Sequence, residues 1–415
     1  MDFPKHLNKY LSKNEINQLI NTFGKKEHKG LLLNTNKISD ERFVSLFPDV
    51  KKHPIVPHAY LFDQDEYQFG KMIYHDLGYY YIQDPSASLV SFLLDPKEDD
   101  VVLDMCAAPG GKSIQASLLM NNKGQLYSND LSSSRAQILL QNVERMGLGN
   151  VVVTSLDLSK IKGLENSFDK IILDAPCSGS GMFRKNEDMF NDWTYEKVIK
   201  QSLIQKDLIL LAYSLLKDGG KLVYSTCSYS YEEDEEIVKY LLENSDAKLV
   251  PIFEYDGFYR SDLKETVHLF PFLFPGEGHF IALISKPGTS DKNRFEQNEF
   301  IKIVDSKGKS KIKEHYILNT KPINSLLNKA IRPGLFSYYE IDNKKIYSHQ
   351  YSHFVKGVNS YPLNDEELKK YLHGEEITIL NNENYDFVSY DDNIIGVCKN
   401  KNKSLRNFYP KGLRK

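Results

Sequence analysis

The 415-residue chain holds one tryptophan and only four cysteines, and no stretch of it approaches the ~18 apolar residues of a membrane span. A membrane-spanning protein is therefore not expected. The four cysteines follow no periodic framework, which excludes a disulfide-stapled secreted domain and points to a reducing compartment. Met1-Asp2-Phe3-Pro4-Lys5-His6 opens no apolar leader, so a cytoplasmic protein is the expectation. Internal repeats and low-complexity tracts are missing too. A net charge of -3 argues against a uniformly basic nucleic-acid-binding surface.

Charge is nevertheless distributed unevenly. Lys302 to Arg332 carries eight Lys/Arg against two Asp/Glu, and Gly396 to Lys415 carries seven basic residues and no acidic one. Basic runs are commonly ordinary solvated surface. In Arg406-Asn407-Phe408-Tyr409-Pro410-Lys411-Gly412-Leu413-Arg414, however, rings that can stack on unpaired bases interleave with cations for phosphate, and RNA becomes the expected partner.

At this length two or three domains are expected. Residues 1–83 hold a helical stretch near Ser12 to Phe23 and then a Tyr- and Pro-rich region with no legible chemistry, an accessory unit expected to bind RNA. Residues 84–288 alternate between strand-like and helical patterns. Apolar runs at Val101-Val102-Leu103, Gly124 to Ser128, Val151 to Thr154, Lys170 to Leu173 and Lys221 to Tyr224 are separated by helices after Gly111, over Ser132 to Met146 and over Tyr195 to Leu216. Continuous apolar strands in that alternation predict an α/β fold with a parallel, doubly wound, Rossmann-like sheet. His279 to Ile284 would be its last strand, leaving Ser285 to Asn298 as a linker, 295–350 as a basic segment and 351–415 as a small mixed domain. With the sheet complete by Ile284, everything from about Asp291 onward is expected to be dispensable for cofactor binding.

In such sheets ligands lie beyond the carboxyl ends of the strands. Asp104, Asp130, Asp174 and Cys227 fall at or just past such ends and should share one crevice. Cys106-Ala107-Ala108-Pro109-Gly110-Gly111-Lys112 is a Gly-rich turn into a helix, where Gly110 and Gly111 admit close backbone approach and the helix start offers free amides to a carboxylate. Gly111-Lys112-Ser113 also looks like the end of a phosphate loop, but Cys106 stands where that loop needs glycine. Asp130, 26 positions after Asp104, can take ribose hydroxyls; its rival role is to cap the following helix, a cap that Ser132 or Ser133 could supply instead. Asp174-Ala175-Pro176-Cys177 and Ser225-Thr226-Cys227 each place a cysteine after a strand. Either thiolate can add to an electrophilic carbon, and residue chemistry alone does not choose between them. Cys398, within Ile394 to Cys398, reads as an inert buried thiol.

These motifs, in this order, resemble the RNA (cytosine-5) methyltransferases of the Nop/Sun (RsmB/RsmF) family. Asp84-Pro85-Ser86-Ala87-Ser88 resembles the family segment leading into the sheet, and the closing Tyr409 to Arg414 resembles the end of the small-subunit methyltransferase F group, with its PUA-type RNA-binding module. The resemblance implies S-adenosylmethionine as cofactor and assigns Cys227 as the nucleophile toward carbon 6 of cytosine, with Cys177 assisting product release. It places Asp174 and Lys112 near the base, Asp130 on the ribose and Asp157 at the adenine end, with Arg135 in the cofactor set and Cys106 packing beneath it. Asp174 is expected to bond N3; a carboxyl buried against a base can hold its proton and donate it, and the sequence leaves its protonation state open. Small-subunit 16S ribosomal RNA is the implied substrate and transfer RNA the runner-up, acted on by a monomer without metal. Glu232-Glu233-Asp234-Glu235-Glu236 is read as the first turn of a helix, where carboxylates meet the positive end of the dipole, and not as a metal site. In place of the family's usual proline, Ser230-Tyr231 precedes it. Two rivals remain: a non-catalytic RNA-binding protein, which has no use for two reactive cysteines, and a protein methyltransferase, whose Asn-Pro-Pro-Tyr motif is missing.

Overall fold

The computed structural model describes residues 3–26, 29–184, 187–289, 297–304, 312–342, 344–380, 383–401 and 403–414. Part of the expected linker, and the lysines of the basic segment between 305 and 311, lie outside the described residues. No described helix is long and apolar enough to cross a membrane.

The central unit is built from β1 (Val101–Asp104), α1 (Gly111–Leu119), β2 (Gln125–Asn129), α2 (Ser133–Met146), β3 (Val151–Thr154), β4 (Phe168–Asp174), α3 (Tyr195–Leu215), β5 (Leu216–Thr226), α4 (Glu235–Glu243) and β6 (Phe280–Ser285). Every residue of β1, β2 and β3 is buried, as in a sheet covered by helices on both faces. α2 buries Ala136, Leu139, Val143 and Met146, one stripe at helical spacing. Ser132 caps its start, accepting from the Arg135 amide, and Gly147 ends it at φ +70, where a Cβ would sit 2.7 Å from the His353 ring.

Strand order is Lys248–Leu249, β6, β5, β4, β1, β2, β3. Pairing is parallel from β5 through β3, while β6 runs antiparallel to β5, Phe280 opposite Thr226. The expectation of a parallel sheet thus fails at its last strand. A strand buried on both faces carries the same apolar run in either direction, and an antiparallel neighbour needs no crossover helix. The chain runs outward from β1 through β3 and then returns to β4 on the other side of β1, so the crevice opens where that order reverses.

The Tyr-rich N-terminal region forms a four-stranded antiparallel sheet (Lys29–Leu33, Lys51–Lys52, Ala59–Phe62, Tyr80–Ile82) cored by Tyr60, Tyr79 and Tyr80. Beyond the linker lie a second four-stranded sheet (Asn298–Val304, Ile312–Leu318, Leu335–Ile341, Lys344–Tyr347) and a five-stranded one holding helix Asp365–His373. Cys398 is buried there, its thiol pushed up to about 12 by burial.

These C-terminal parts are not appended to a finished core. Leu318, Leu326 and Leu327 pack in one cluster with Tyr127, Val152 and Phe168 of the central sheet, and Leu368, Tyr371 and Val388 share a core with Leu31, Phe43 and Tyr80. Arg332 is 3% exposed; its guanidinium donates to the Val151 carbonyl, to the Leu148 carbonyl at 2.7 Å and to Gln350 Oε1 at 3.1 Å. The residues beyond 291, expected to be dispensable for cofactor binding, are therefore part of the core: their removal would uncover the back of β2 and β3. Arg332→Met should lower the unfolding free energy by about 3 kcal/mol in urea titrations, because buried carbonyls lose charged donors. A change within error would show that this contact is not structural.

Candidate active site

The loop after β1 is shaped by backbone constraints. Gly110 sits at φ +121, and a Cβ there would come 3.0 Å from Leu139 Cδ1; a Cβ on Gly111 would come 3.3 Å from the Tyr81 ring. Asp104 is fully buried at the base. Its Oδ2 accepts from Ser113 Oγ at 2.7 Å, which also meets Ser128 Oγ at 2.7 Å, while its Oδ1 has no partner. Burial pushes this carboxyl up to about 7.

At the end of β2 the Asp130 carboxylate accepts from the Ala108 amide at 3.3 Å and the Ser132 amide at 3.0 Å, and lies 3.3 Å from the Arg135 guanidinium. Arg135 also donates to the Ala108 carbonyl at 2.6 Å. Ser132, not Asp130, caps α2. Asn129, which the sequence reading missed, straps three strand ends: it donates to the carbonyls of Met105 (3.3 Å) and Leu156 (3.1 Å) and accepts from Thr154 Oγ1 at 2.8 Å. Asp157 caps a short turn through Ser159 and pairs with Lys160 at 2.8 Å.

The two cysteines meet. Parallel pairing of β4 and β5 sets Asp174 opposite Ser225, and the turns beyond bring Cys177 Sγ to 3.2 Å from Cys227 Sγ. That hydrogen bond, together with burial, raises the Cys177 thiol well above its ordinary range, so Cys177 keeps its proton. Lys112 Nζ lies 2.7 Å from Asp174 Oδ2, and Ser225 Oγ donates to Asp174 Oδ1 at 2.7 Å. Burial alone would raise Asp174, but Lys112, His279 and Ser225 outweigh it and hold the carboxyl below its usual range. The Lys112 ammonium against it thus favours an ionised Asp174, a protonation state that the sequence left open.

The acidic run also differs from expectation. Only Glu235 and Glu236 lie in the first turn of α4, and Glu232 through Glu235 are all buried. Each has its own partners. Glu232 lies beside His6 and Lys9, which hold it down to about 2 against the opposing effect of burial. Asp234 Oδ1 accepts from Thr226 Oγ1 at 2.6 Å, and Glu235 meets His268 Nε2 at 2.7 Å. Glu233 takes donors from both cysteine turns: the Ser178 amide at 2.7 Å, Ser228 Oγ at 2.6 Å and the Ser178 hydroxyl. Asp234, Glu235 and His268 offer atoms within 4.8 Å of one another, a grouping that could in principle hold a cation. Burial, and then Glu235, drive Asp234 well up, so a retained proton balances the group.

An open cleft of about 970 Å³ unites these strand ends. Cys106, Ala108, Asp130, Arg135, Asp157, Asp174, Cys177 and Cys227 line it; Ala107, Pro109, Gly110 and Gly111 form the turn behind it, and Lys112 reaches it through Asp174. Its apolar wall, with Ile204, Leu208 and Leu211 of α3 and Met182 and Met189, escaped the sequence reading. The available signal was the breadth of the apolar surface of α3. The Cys106 thiol is raised by burial, which suits packing. Because folded Asp104 keeps a proton that the unfolded chain releases, stability should fall as pH rises from the ordinary carboxylate range to about 7. Asp104→Asn should remove that slope in urea titrations across pH; parallel curves for variant and parent would contradict the assignment.

Comparison with known proteins supplies the family. The family described as 16S rRNA methyltransferase RsmB/F matches residues 91–285, the N-terminal domain of 16S rRNA methyltransferase RsmF matches 1–85, and the methyltransferase RsmF PUA domain matches 358–415. The chain is 40% identical over 230 residues to the tRNA (cytosine(49)-C(5))-methyltransferase of Pyrococcus abyssi, covering 53% of this chain and 74% of that protein. It is 36% identical over 271 residues to ribosomal RNA small subunit methyltransferase F of Vibrio vulnificus, covering 62% of this chain but only 57% of that relative. The crystal structure of a methyltransferase homolog from Pyrococcus horikoshii superposes with a TM-score of 0.61 at 29% identity, covering 68% of this chain and 93% of that one. By sequence and fold, the chain belongs to the RsmB/F family of RNA cytosine-C5 methyltransferases.

Proposed function

We propose that the protein transfers a methyl group from S-adenosylmethionine to carbon 5 of cytosine in RNA through a covalent cysteine adduct. The observation that carries this reading is the pair of cysteine sulfurs, 3.2 Å apart at the mouth of a strand-end crevice. The crevice suits the cofactor. Asp130 and Asp157 present carboxylates at neighbouring strand ends, the start of α1 offers free amides, and Asp104 Oδ1 is buried without a partner. When bound, S-adenosylmethionine supplies an electrophilic methyl group.

Carbon 5 of cytosine is a weak nucleophile until a thiolate adds to carbon 6. Cys227 forms that C–S bond, and the electron pair released toward carbon 5 takes the methyl group. Charge collecting at N3 is met by the Lys112–Asp174 pair, which carries a proton that can be shared with the ring. The carbon 5 proton then passes to a water-derived base and the C–S bond breaks, its electron pair returning to the Cys227 sulfur. Cys177, a thiol at 3.2 Å from Cys227, is placed to assist that release by donating to the departing thiolate. The base has to be unstacked to reach both sulfurs.

Small-subunit ribosomal RNA is the favoured substrate, supported by the matches to the RsmF N-terminal and PUA domains at the two ends of the chain. A specific observation favours a second reading, transfer RNA: the 40% identical Pyrococcus abyssi relative is named as a transfer-RNA enzyme. Four free cysteines support a reducing cytoplasm, and we take the protein to work there as a monomer without metal. The adduct is tested on denaturing gels with RNA from cells lacking the gene. Cys227→Ala should give no adduct and no methylation, while Cys177→Ala should accumulate protein bound to RNA. An adduct with Cys227→Ala alone would reverse the two roles.

A further inference from the structure

We infer that Glu233 is a positioning residue that sets the distance between the two cysteines, by holding the turns that carry them in one carboxylate. The inference rests on the two-cysteine reading above. Cys177 and Cys227 lie on different turns, and each is followed by a serine, Ser178 and Ser228. Glu233 Oε1 accepts from the Ser178 amide at 2.7 Å and from Gln205 Nε2 at 3.2 Å. Its Oε2 accepts from Ser228 Oγ at 2.6 Å and from the Ser178 hydroxyl. Four donors thereby occupy the roughly four acceptor sites a carboxylate has.

The group is wholly buried, so little solvent competes for those donors. Gln205, on α3, also donates to the Pro176 carbonyl at 2.8 Å, which fixes the Cys177 turn from its other side. Cross-links between the turns add to this: the Gly181 amide donates to the Cys227 carbonyl at 2.7 Å and the Tyr229 amide to Ser180 Oγ at 2.7 Å. Glu233 hydrogen-bonds to neither sulfur, although its charge adds to what raises the Cys177 thiol. Its hydrogen bonds act through the serines, and the quantity they control is the separation of the two sulfurs. Addition at carbon 6 needs one sulfur alone. Release at carbon 5 needs the second in register with the first, so a loosened clamp should stall release before it stalls addition.

Glu233→Gln is the direct test, since its amide turns two acceptor sites into donors that face donors. In the full-length protein, S-adenosylmethionine affinity by calorimetry and KM for RNA from cells lacking the gene should be unchanged. The kcat should fall about a hundred-fold, the usual cost of an ångström of misplacement. Protein–RNA adduct should accumulate on denaturing gels, and the effect of Glu233→Gln should shrink in a Ser178→Ala/Ser228→Ala background. An independent readout is the rate at which diamide links Cys177 to Cys227, followed by mass spectrometry of the joined peptides; Glu233→Gln should slow it. Wild-type turnover without adduct in Glu233→Gln, or an unchanged linking rate, would overturn the inference. So would joint loss of cofactor affinity and melting temperature without adduct, which marks a merely structural role. If the parent itself methylated no RNA, the functional reading would fail while the linking rate still decided the positioning.

Discussion

The register between β4 and β5 is the constraint on which the rest of the site depends. Asp174 stands opposite Ser225, and from that pairing each strand runs on for two or three residues to a cysteine. A one-residue slip would turn every side chain of one strand to the other face. It would also move one sulfur away from the other. Burial of β4 and β5 between the helical layers fixes the register, because Ile171 and Leu173 on one strand and Leu222 and Tyr224 on the other share a single core.

Electrostatics then assigns states to the groups this register collects. The Lys112 ammonium keeps Asp174 ionised despite its burial, while Cys177 is left as the thiol of its pair. Behind them the acidic residues from Glu232 to Glu235 are each matched: to His6 and Lys9, to the two cysteine turns, to Thr226 and to His268. The N-terminal segment around Leu7–Lys9 is part of this arrangement. Through Lys9 on Glu232 and Tyr10 on the Tyr229 carbonyl, it braces the segment that follows Cys227.

The central fold was legible in the sequence. Each expected strand and helix from Val101 to Ile284 has its counterpart, because continuous apolar runs and helical periodicity are local signals. The motif residues that share the cleft were legible as well, since strand ends in such a sheet converge. Direction of the last strand was not, as its burial pattern is the same either way. Glu233 was hidden for a similar reason. Five consecutive acidic residues read as a helix start, and only the tertiary approach of Ser178, some 55 positions earlier, shows that one of them is a buried hub. The Tyr-rich N-terminal sheet and the docking of Leu318, Leu326 and Leu327 behind β2 and β3 were equally invisible, because short strands and long-range packing leave little periodicity.

The central claim is that this paired-cysteine crevice methylates carbon 5 of cytosine in RNA. It is tested most directly by bisulfite sequencing of ribosomal and transfer RNA from cells lacking the gene, complemented with the parent protein or with Cys227→Ala. The account predicts that 5-methylcytosine is lost at discrete positions on deletion, restored by the parent and not restored by Cys227→Ala. Restoration by Cys227→Ala, or an unchanged methylation map on deletion, would contradict it.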